Sequence, residues 1–178
     1  MRRAPLALVA LSIVSTMAVV AATEARAGRA HVRLTSPAFG PGGTIPTGFT
    51  CDGPDVPPPL RWSGLPTGTV ELAVTVEDPE TSHGTFVHWV AWGIDPATPG
   101  LPDGVVPAGV HEGRNGAGRA GYLGPCPPAG SDAHRYRFTL YALRRRLALT
   151  PGATIDHLRV AIKGLVVGRA ELVGRYAR

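Results

Sequence analysis

The chain has 178 residues, of which 18 are basic and 13 are acidic, giving a formal net charge of +5 at pH 7. This length suits one globular domain that buries its own hydrophobic core. The positive charge is mild, and the basic residues are scattered except for an arginine triplet at 144–146. Composition therefore argues against a nucleic-acid partner, for which a dense basic stripe with stacking aromatic residues would be expected.

Residues 1–27 have the features of an export signal. A basic pair, Arg2-Arg3, precedes an apolar run over Leu6–Ala22, and Ala25-Arg26-Ala27 offers small residues at a cleavage site. We expect cleavage after Ala27, which leaves residues 28–178 as a single domain without a stable membrane span. The alternative is an uncleaved anchor, although the run lies near the lower end of the about 17 to 25 residues that cross a bilayer. The expected location is the periplasm or the extracellular space.

The sequence contains two cysteines, Cys51 and Cys126, each in a loop rich in glycine and proline. An oxidising compartment favours pairing of such thiols, so we predict a disulfide between them. Spacing alone leaves two free thiols as the alternative.

Short β-like runs separated by glycine and proline indicate a mainly β fold. Residues that suit a pleated surface, β-branched and aromatic, concentrate in Val70–Val76, Thr85–Ile94 and Arg135–Leu143. The stretches 39–59 and 95–121 are predicted as long loops, which often carry function in a compact domain.

Near the C-terminus the pattern changes to a helical period. Thr154 is positioned as an N-cap, Gly164 as a stop, and one apolar face is formed by Ile155, Leu158, Ala161 and Ile162. We predict a short helix packed on the core. The following segment, 165–176, is compatible with either a strand or a short helix.

Polar side chains gather at the predicted strand ends. Asp78 follows the run that ends at Val76 and precedes Pro79, where we expect the strand to give way to a turn. Strand alternation places His88 on the face that also carries Val90 and Trp92. It likewise puts His134 and Tyr136 on one face at the loop end of their strand.

This arrangement predicts a small anion-binding pocket. A carboxylate favours the cationic form of a neighbouring histidine, and a tyrosine adds a hydroxyl donor. Glycine permits close approach of a ligand to the backbone, and prolines stiffen the rim. The predicted ligand-binding residues are Asp78, His88, Gly124, Pro125, Pro127, His134 and Tyr136. The competing interpretation is that these histidines are ordinary core or strand-end residues.

Catalysis is the less favoured interpretation. Cys126 could be a nucleophile with His134 or His88 as its base, but oxidation would remove the thiol and the chain has no G-x-S-x-G motif. The chain also lacks C-x-x-C and H-E-x-x-H metal signatures. We expect a protein that is not an enzyme and needs no metal or cofactor.

Several motifs occur together in a characteristic order: FTCDG, PPLRWSGLP, EDPE, GTFVHWV, GYLGPCPPAG, HRYRFTLYAL, LTPGAT and AELVGRYAR. With them the chain resembles the phosphatidylethanolamine-binding protein (PEBP) family, in its bacterial and archaeal Raf-kinase-inhibitor-like branch. The resemblance extends over almost all of the chain after the signal, and the pairing of DP and HW with GPCPP and HRY is specific.

The resemblance implies an antiparallel β-sandwich-like core, a short C-terminal helix and an anion pocket at one end. In such proteins the pocket is lined by residues that match Asp78, His88, Pro125, Pro127 and His134, with Tyr136 as the aromatic of HRY. Implied ligands are phosphate-like groups, including phospholipid head groups, and no cofactor is implied.

The family also implies a competing function, inhibition of a serine protease through an exposed loop. Kinase inhibition follows only from analogy of fold. Three positions depart from the family pattern: Glu80-Thr81-Ser82 replaces the end of DPDAP, Gly93 stands where asparagine is common, and Leu165 replaces a frequent histidine. The first departure is expected to affect ligand preference.

Overall fold

The computed structural model describes residues 31–178. The predicted export signal and its cleavage site after Ala27 lie outside the described residues. Within 31–178 the chain forms eight strands, β1 (Arg33–Thr35), β2 (Leu60–Ser63), β3 (Glu71–Thr81), β4 (Gly84–Ile94), β5 (Gly100–Leu101), β6 (His111–Glu112), β7 (His134–Leu143) and β8 (Val166–Tyr176), with helix α1 (Ile155–Ala161) and a 3-10 helix (Thr47–Phe49). The fold is mainly antiparallel β with one short α-helix, as predicted.

The strands form two antiparallel sheets that enclose the main core. One sheet has the order β6-β4-β3-β7-β8 and the other the order β1-β2-β5. Apolar side chains from both sheets meet in a single cluster, among them Leu34, Trp62, Val76, Trp89, Phe138 and Leu172. This arrangement is the predicted β-sandwich-like core, and it uses alternate residues of each central strand because successive side chains point to opposite faces.

Helix α1 covers the other face of the five-stranded sheet. Thr154 caps its N-terminus by accepting a hydrogen bond from the His157 amide, which confirms the predicted cap. Leu158 and Ile162 pack with Trp92 of β4 in a second apolar cluster. The ambiguous segment after the helix is the strand β8, paired with β7 along nearly its whole length.

Strand β3 continues beyond the predicted end at Val76, so the expected turn at Pro79 is wrong. The strand runs to Thr81 and forms a hairpin with β4, in which Thr81 pairs with Gly84. Proline has no amide hydrogen, and the ladder is irregular between Asp78 and Thr81. The irregularity keeps Asp78 at the sheet end while the chain stays extended.

The predicted common face of His88, Val90 and Trp92 is also wrong. Val90 and Trp92 pack on the helix side of the sheet, whereas the His88 ring contacts Tyr136 of the main core. The cause is a β-bulge: Val76 pairs with Trp89 but Glu77 pairs with Val87, leaving His88 as an extra residue. The alternation of side chains between the two faces of β4 is therefore interrupted at His88, so His88 and Val90 point to opposite faces of the sheet.

A third irregularity of the β3–β4 ladder accounts for the glycine at position 93, one of the departures from the family pattern. The β3–β4 register shifts again near Gly93, whose φ is +76°. Glycine adopts this left-handed backbone freely, and asparagine tolerates it better than most residues. A Cβ at Gly93 would lie 2.9 Å from the Gly109 carbonyl oxygen. Glycine, which has no Cβ, avoids this close contact.

Candidate functional site

A cavity of about 550 Å³ opens at the end of the main sheet where β3, β4 and β7 meet two loops. Polar and apolar side chains both line it: Cys51, Asp78, Glu80, Thr81, Ser82, Phe86, His88, Leu123, Gly124, Cys126, Pro127, Pro128, His134 and Tyr136. Six of the seven predicted site residues belong to this lining. Pro125 does not.

Asp78 and His134 form the polar centre of the cavity. The Asp78 side chain is 3% exposed, and its Oδ2 lies 2.7 Å from His134 Nδ1. Its other oxygen, Oδ1, accepts a 2.8 Å hydrogen bond from the Glu80 amide. Since both carboxylate oxygens have protein partners, Asp78 orients the imidazole, and Nε2 of His134 remains as the atom that can meet a ligand. That nitrogen donates a hydrogen bond only when the ring is cationic.

His88 is held by a backbone carbonyl oxygen, whereas His134 is held by a carboxylate. The His88 Nδ1 lies 2.6 Å from the Leu123 carbonyl oxygen, so this nitrogen carries the proton. Burial lowers the pKa of His88 below its ordinary value, against the opposing effects of the Leu123 hydrogen bond and the Asp78 charge. The ring is therefore neutral at pH 7, and its Nε2 is an acceptor.

Tyr136 contributes a hydroxyl with an unused hydrogen-bonding capacity. The residue is 0% exposed, and among residues 31–178 its hydroxyl has no hydrogen-bond partner. Burial, followed by the charges of Asp78 and Glu80, raises its pKa, while the Cys126 amide, which lies near the hydroxyl without meeting hydrogen-bond geometry, has a smaller opposing effect. The hydroxyl stays protonated, and a ligand acceptor would relieve the cost of leaving it unpaired, about 1 to 3 kcal/mol.

Glu80, near the end of β3, connects the β3–β4 hairpin to the start of β7 through hydrogen bonds and an ion pair with Arg135. Its Oε2 accepts a 2.6 Å hydrogen bond from the Arg135 amide, and Oε1 lies 2.7 Å from the Arg135 guanidinium Nη2. Burial alone would raise the pKa of Glu80, but these hydrogen bonds lower it. The carboxylate that departs from the family pattern is thus engaged within the protein, beside His134.

The disulfide predicted between Cys51 and Cys126 is confirmed, with Cα atoms 5.4 Å apart. Both cysteines line the cavity, so the bridge is part of its wall. It joins the loop after the 3-10 helix to the GPCPP loop, where the Cys51 amide also donates to the Pro125 carbonyl. Pro125 is buried behind the wall and supports it through this bond.

Close packing between two loops requires glycine at position 124, a constraint that the sequence did not reveal. The Gly124 amide donates to Asp55 Oδ1, and a Cβ would lie 2.5 Å from that oxygen and 2.6 Å from the Phe49 carbonyl oxygen. Glycine is needed there because the two loops touch. The lining residues that sequence reasoning missed include two apolar ones, Phe86 and Leu123, whereas Pro128 was expected among the prolines of the rim. Leu123 stood next to the predicted Gly124, and Phe86 stood two residues before His88 in the same predicted strand.

Two further observations concern residues 31–178 alone. They include no group of three or more His, Cys, Asp or Glu side chains placed to hold a metal ion. None of their helices is long and apolar enough to cross a membrane.

Comparison with known proteins gives the same fold and family. A family model described as phosphatidylethanolamine-binding protein matches residues 35–177. LppC of Mycobacterium tuberculosis, named as a lipoprotein, is 48% identical over 143 residues, covering 80% of this chain and 71% of its own. A UPF0098 protein of Pyrococcus horikoshii is 44% identical over 150 residues, covering 80% of this chain and 75% of its own.

Solved structures agree with the sequence relatives. A crystal structure of a PEBP homologue from Chlamydia trachomatis is 35% identical with a TM-score of 0.79, covering 84% of this chain and 99% of its own. E. coli YbcL, described as a member of the mammalian PEBP family, is 29% identical with a TM-score of 0.78 and the same coverage. The match of sequence and architecture, on a chain with this strand-end cavity, shows that the protein belongs to the phosphatidylethanolamine-binding protein family.

Proposed function

We propose that this protein is an exported, non-enzymatic binding protein whose cavity takes a small anion such as phosphate or the phosphate of phosphoethanolamine. The observation that carries the proposal is the Asp78–His134 pair, 2.7 Å apart, beside the unpartnered Tyr136 hydroxyl. A cationic imidazole and a hydroxyl donor are groups that bind oxyanions strongly, because charge-assisted hydrogen bonds are the stronger kind.

Binding without turnover is supported by the bonds that Cys126, His88 and Asp78 make within the protein. Cys126 is consumed in the disulfide, so the thiol that could have acted as a nucleophile is not free. His88 donates through Nδ1 to a carbonyl oxygen, and Asp78 is occupied by its two hydrogen bonds. The His88 and His134 rings and the Asp78 carboxylate are thus held by the protein in fixed orientations, as in a preorganised receptor.

The test is calorimetric titration with sulfate, an anion whose own charge is constant near neutral pH. We expect sulfate to bind at about pH 6 through a hydrogen bond from His134 Nε2, and to bind more weakly at higher pH, because that nitrogen carries a proton only in the cationic ring. Replacement His134→Gln should abolish the pH dependence and weaken binding at about pH 6 by roughly tenfold or more. His83→Gln, at the exposed hairpin tip, is the matched control and should retain wild-type binding.

Two outcomes would reject the proposal. One is absence of sulfate and phosphate binding by the folded protein at about pH 6. The other is unchanged affinity in the His134→Gln variant.

Export is supported by the disulfide and by the LppC relative, which is named as a lipoprotein. Intact mass spectrometry of the protein from the host's extracytoplasmic fraction should give the mass of residues 28–178 with a disulfide. Recovery of the chain only in the cytoplasm, with Met1–Ala27 retained, would contradict both export and cleavage.

A further inference from the structure

The cavity is larger than a single oxyanion requires. Its volume of about 550 Å³ lies within the range of about 300 to 1,000 Å³ in which proteins hold drug-sized organic ligands. The donors described above occupy only one part of its wall. The remaining space must therefore be matched by another part of the ligand or remain filled with water.

The rest of the wall is apolar and rigid. It is built from the Phe86 ring, Leu123, the paired prolines Pro127 and Pro128, and the disulfide. Proline rings and a disulfide have few internal rotations, so this wall loses little entropy when a ligand packs against it. An apolar ligand group gains by leaving water for such a surface.

Aromatic rings extend from this wall to the polar centre. The Phe86 and His88 rings meet edge to face with centroids 4.8 Å apart, and His88 meets Tyr136 likewise at 5.1 Å. The three rings thus form a row with the apolar Phe86 ring at one end and the unpartnered Tyr136 hydroxyl at the other. Phe86 is only partly buried, so its ring still has surface to offer a ligand.

Gly116 keeps Phe86 in this place. A Cβ on Gly116 would lie 2.7 Å from the Phe86 ring, so the ring rests directly on the backbone of the 113–121 loop. The Gly116 amide also donates a 2.7 Å hydrogen bond to the Val87 carbonyl, which ties this loop to β4. The position of the ring is thus set by backbone packing.

We infer that the ligand class of this cavity is an aryl phosphate monoester, with its oxyanion at His134 and Tyr136 and its aromatic ring against Phe86. This inference rests on the proposed anion-binding function and adds the chemical group attached to the anion. A planar ring suits the cavity better than an alkyl chain, because a ring has no internal rotations to lose on binding. Aromatic pairs also gain beyond simple burial of area.

The experiment compares three phosphate monoesters that carry the same kind of head: methyl, butyl and phenyl phosphate. Calorimetry at one pH should show phenyl phosphate binding roughly tenfold or more tightly than methyl phosphate, which corresponds to about 1.4 kcal/mol. Butyl phosphate should fall between the two. In the Phe86→Ala variant the ratio of phenyl to methyl affinity should collapse towards one, and Gly116→Ala should reduce it by displacing the ring.

His134→Gln separates this inference from the proposed function. That variant should weaken all three esters together and leave their ratio unchanged, since it removes only the donor for the shared head. Equal affinity of the wild-type protein for methyl and phenyl phosphate would overturn the aryl inference while anion binding stands. Butyl phosphate binding as tightly as phenyl phosphate would overturn the preference for a ring. Failure of every ester to bind would overturn both.

Discussion

Asp78 shows how one buried carboxylate can organise a cavity through two hydrogen bonds to its walls. One carboxylate oxygen holds the Glu80 amide and the other holds His134 Nδ1, at 2.8 and 2.7 Å. The first bond fixes the hairpin and the second fixes the imidazole. Because the residue is 2% exposed, few water molecules compete for these bonds. The side chain thus couples the shape of the rim to the orientation of the donor.

An Asp78→Asn substitution tests this role. The asparagine oxygen can still accept from the Glu80 amide, but its NH2 group can only donate to His134 Nδ1, which reverses that hydrogen bond, and the side chain lacks the charge that favours a cationic imidazole. We expect sulfate binding at about pH 6 to weaken by roughly tenfold. Calorimetry of folded variant and wild type measures the change, and equal affinities would show that the carboxylate does not act through His134.

The elements around the cavity differ in how they are held. Strands β3, β4 and β7 are neighbours in the centre of the main sheet, so Asp78, His88 and His134 are positioned by backbone pairing. The opposing wall consists of loops, which the disulfide and the Gly124–Asp55 hydrogen bond tie together. One wall is therefore built by the sheet and the other by cross-links.

Removing the disulfide should affect the loop wall first. The bridge closes a loop with a sequence separation of 75 residues, and cross-links of this kind contribute about 2 to 4 kcal/mol. We expect the double variant Cys51→Ser, Cys126→Ser to lose stability of this order in urea unfolding, with the main sheet intact by far-ultraviolet circular dichroism. Unchanged stability would mean that the loops keep their positions without the bridge.

At the scale of the whole molecule, burial of titratable groups links stability to pH. Burial lowers the pKa of His88 from the ordinary histidine value of 6.5, so the unfolded chain binds a proton at a pH where the folded protein does not. Stability due to this residue is therefore present above about pH 6.5 and is lost as the pH falls from that value through the lower pKa of the folded protein. The two-sheet core that buries the ring thereby makes the fold sensitive to mild acid.

The corresponding prediction compares wild type with His88→Gln. The free energy of unfolding of the wild type should fall between about pH 7.5 and 5.5, by at most about 1.4 kcal/mol per pH unit for this residue. Glutamine does not titrate, so the stability difference between the two proteins should narrow as pH falls. Urea unfolding at several pH values measures it, and a constant difference would show that His88 does not contribute.

Local sequence determined much of this protein. Alternating β-branched and aromatic runs located the central strands, Thr154 marked the start of the helix, and the DP, HW, GPCPP and HRY motifs marked the cavity. The helix ends at Ala161, before the predicted stop at Gly164. These signals are short-range, because strand and helix periodicity and capping act within a few residues. They were enough to place Asp78, His88, His134 and Tyr136 in one site.

The tertiary structure decided the features that depend on contacts between distant segments. The bulge at His88 changes strand parity through the pairing of β3 with β4, and the use of both Asp78 oxygens depends on β7 and the hairpin. Phe86 becomes a cavity wall only because the Gly116 loop packs beneath it. Sequence determined which chemical groups are present at the strand ends, whereas packing across the sheets decided which of their atoms are left free for a ligand.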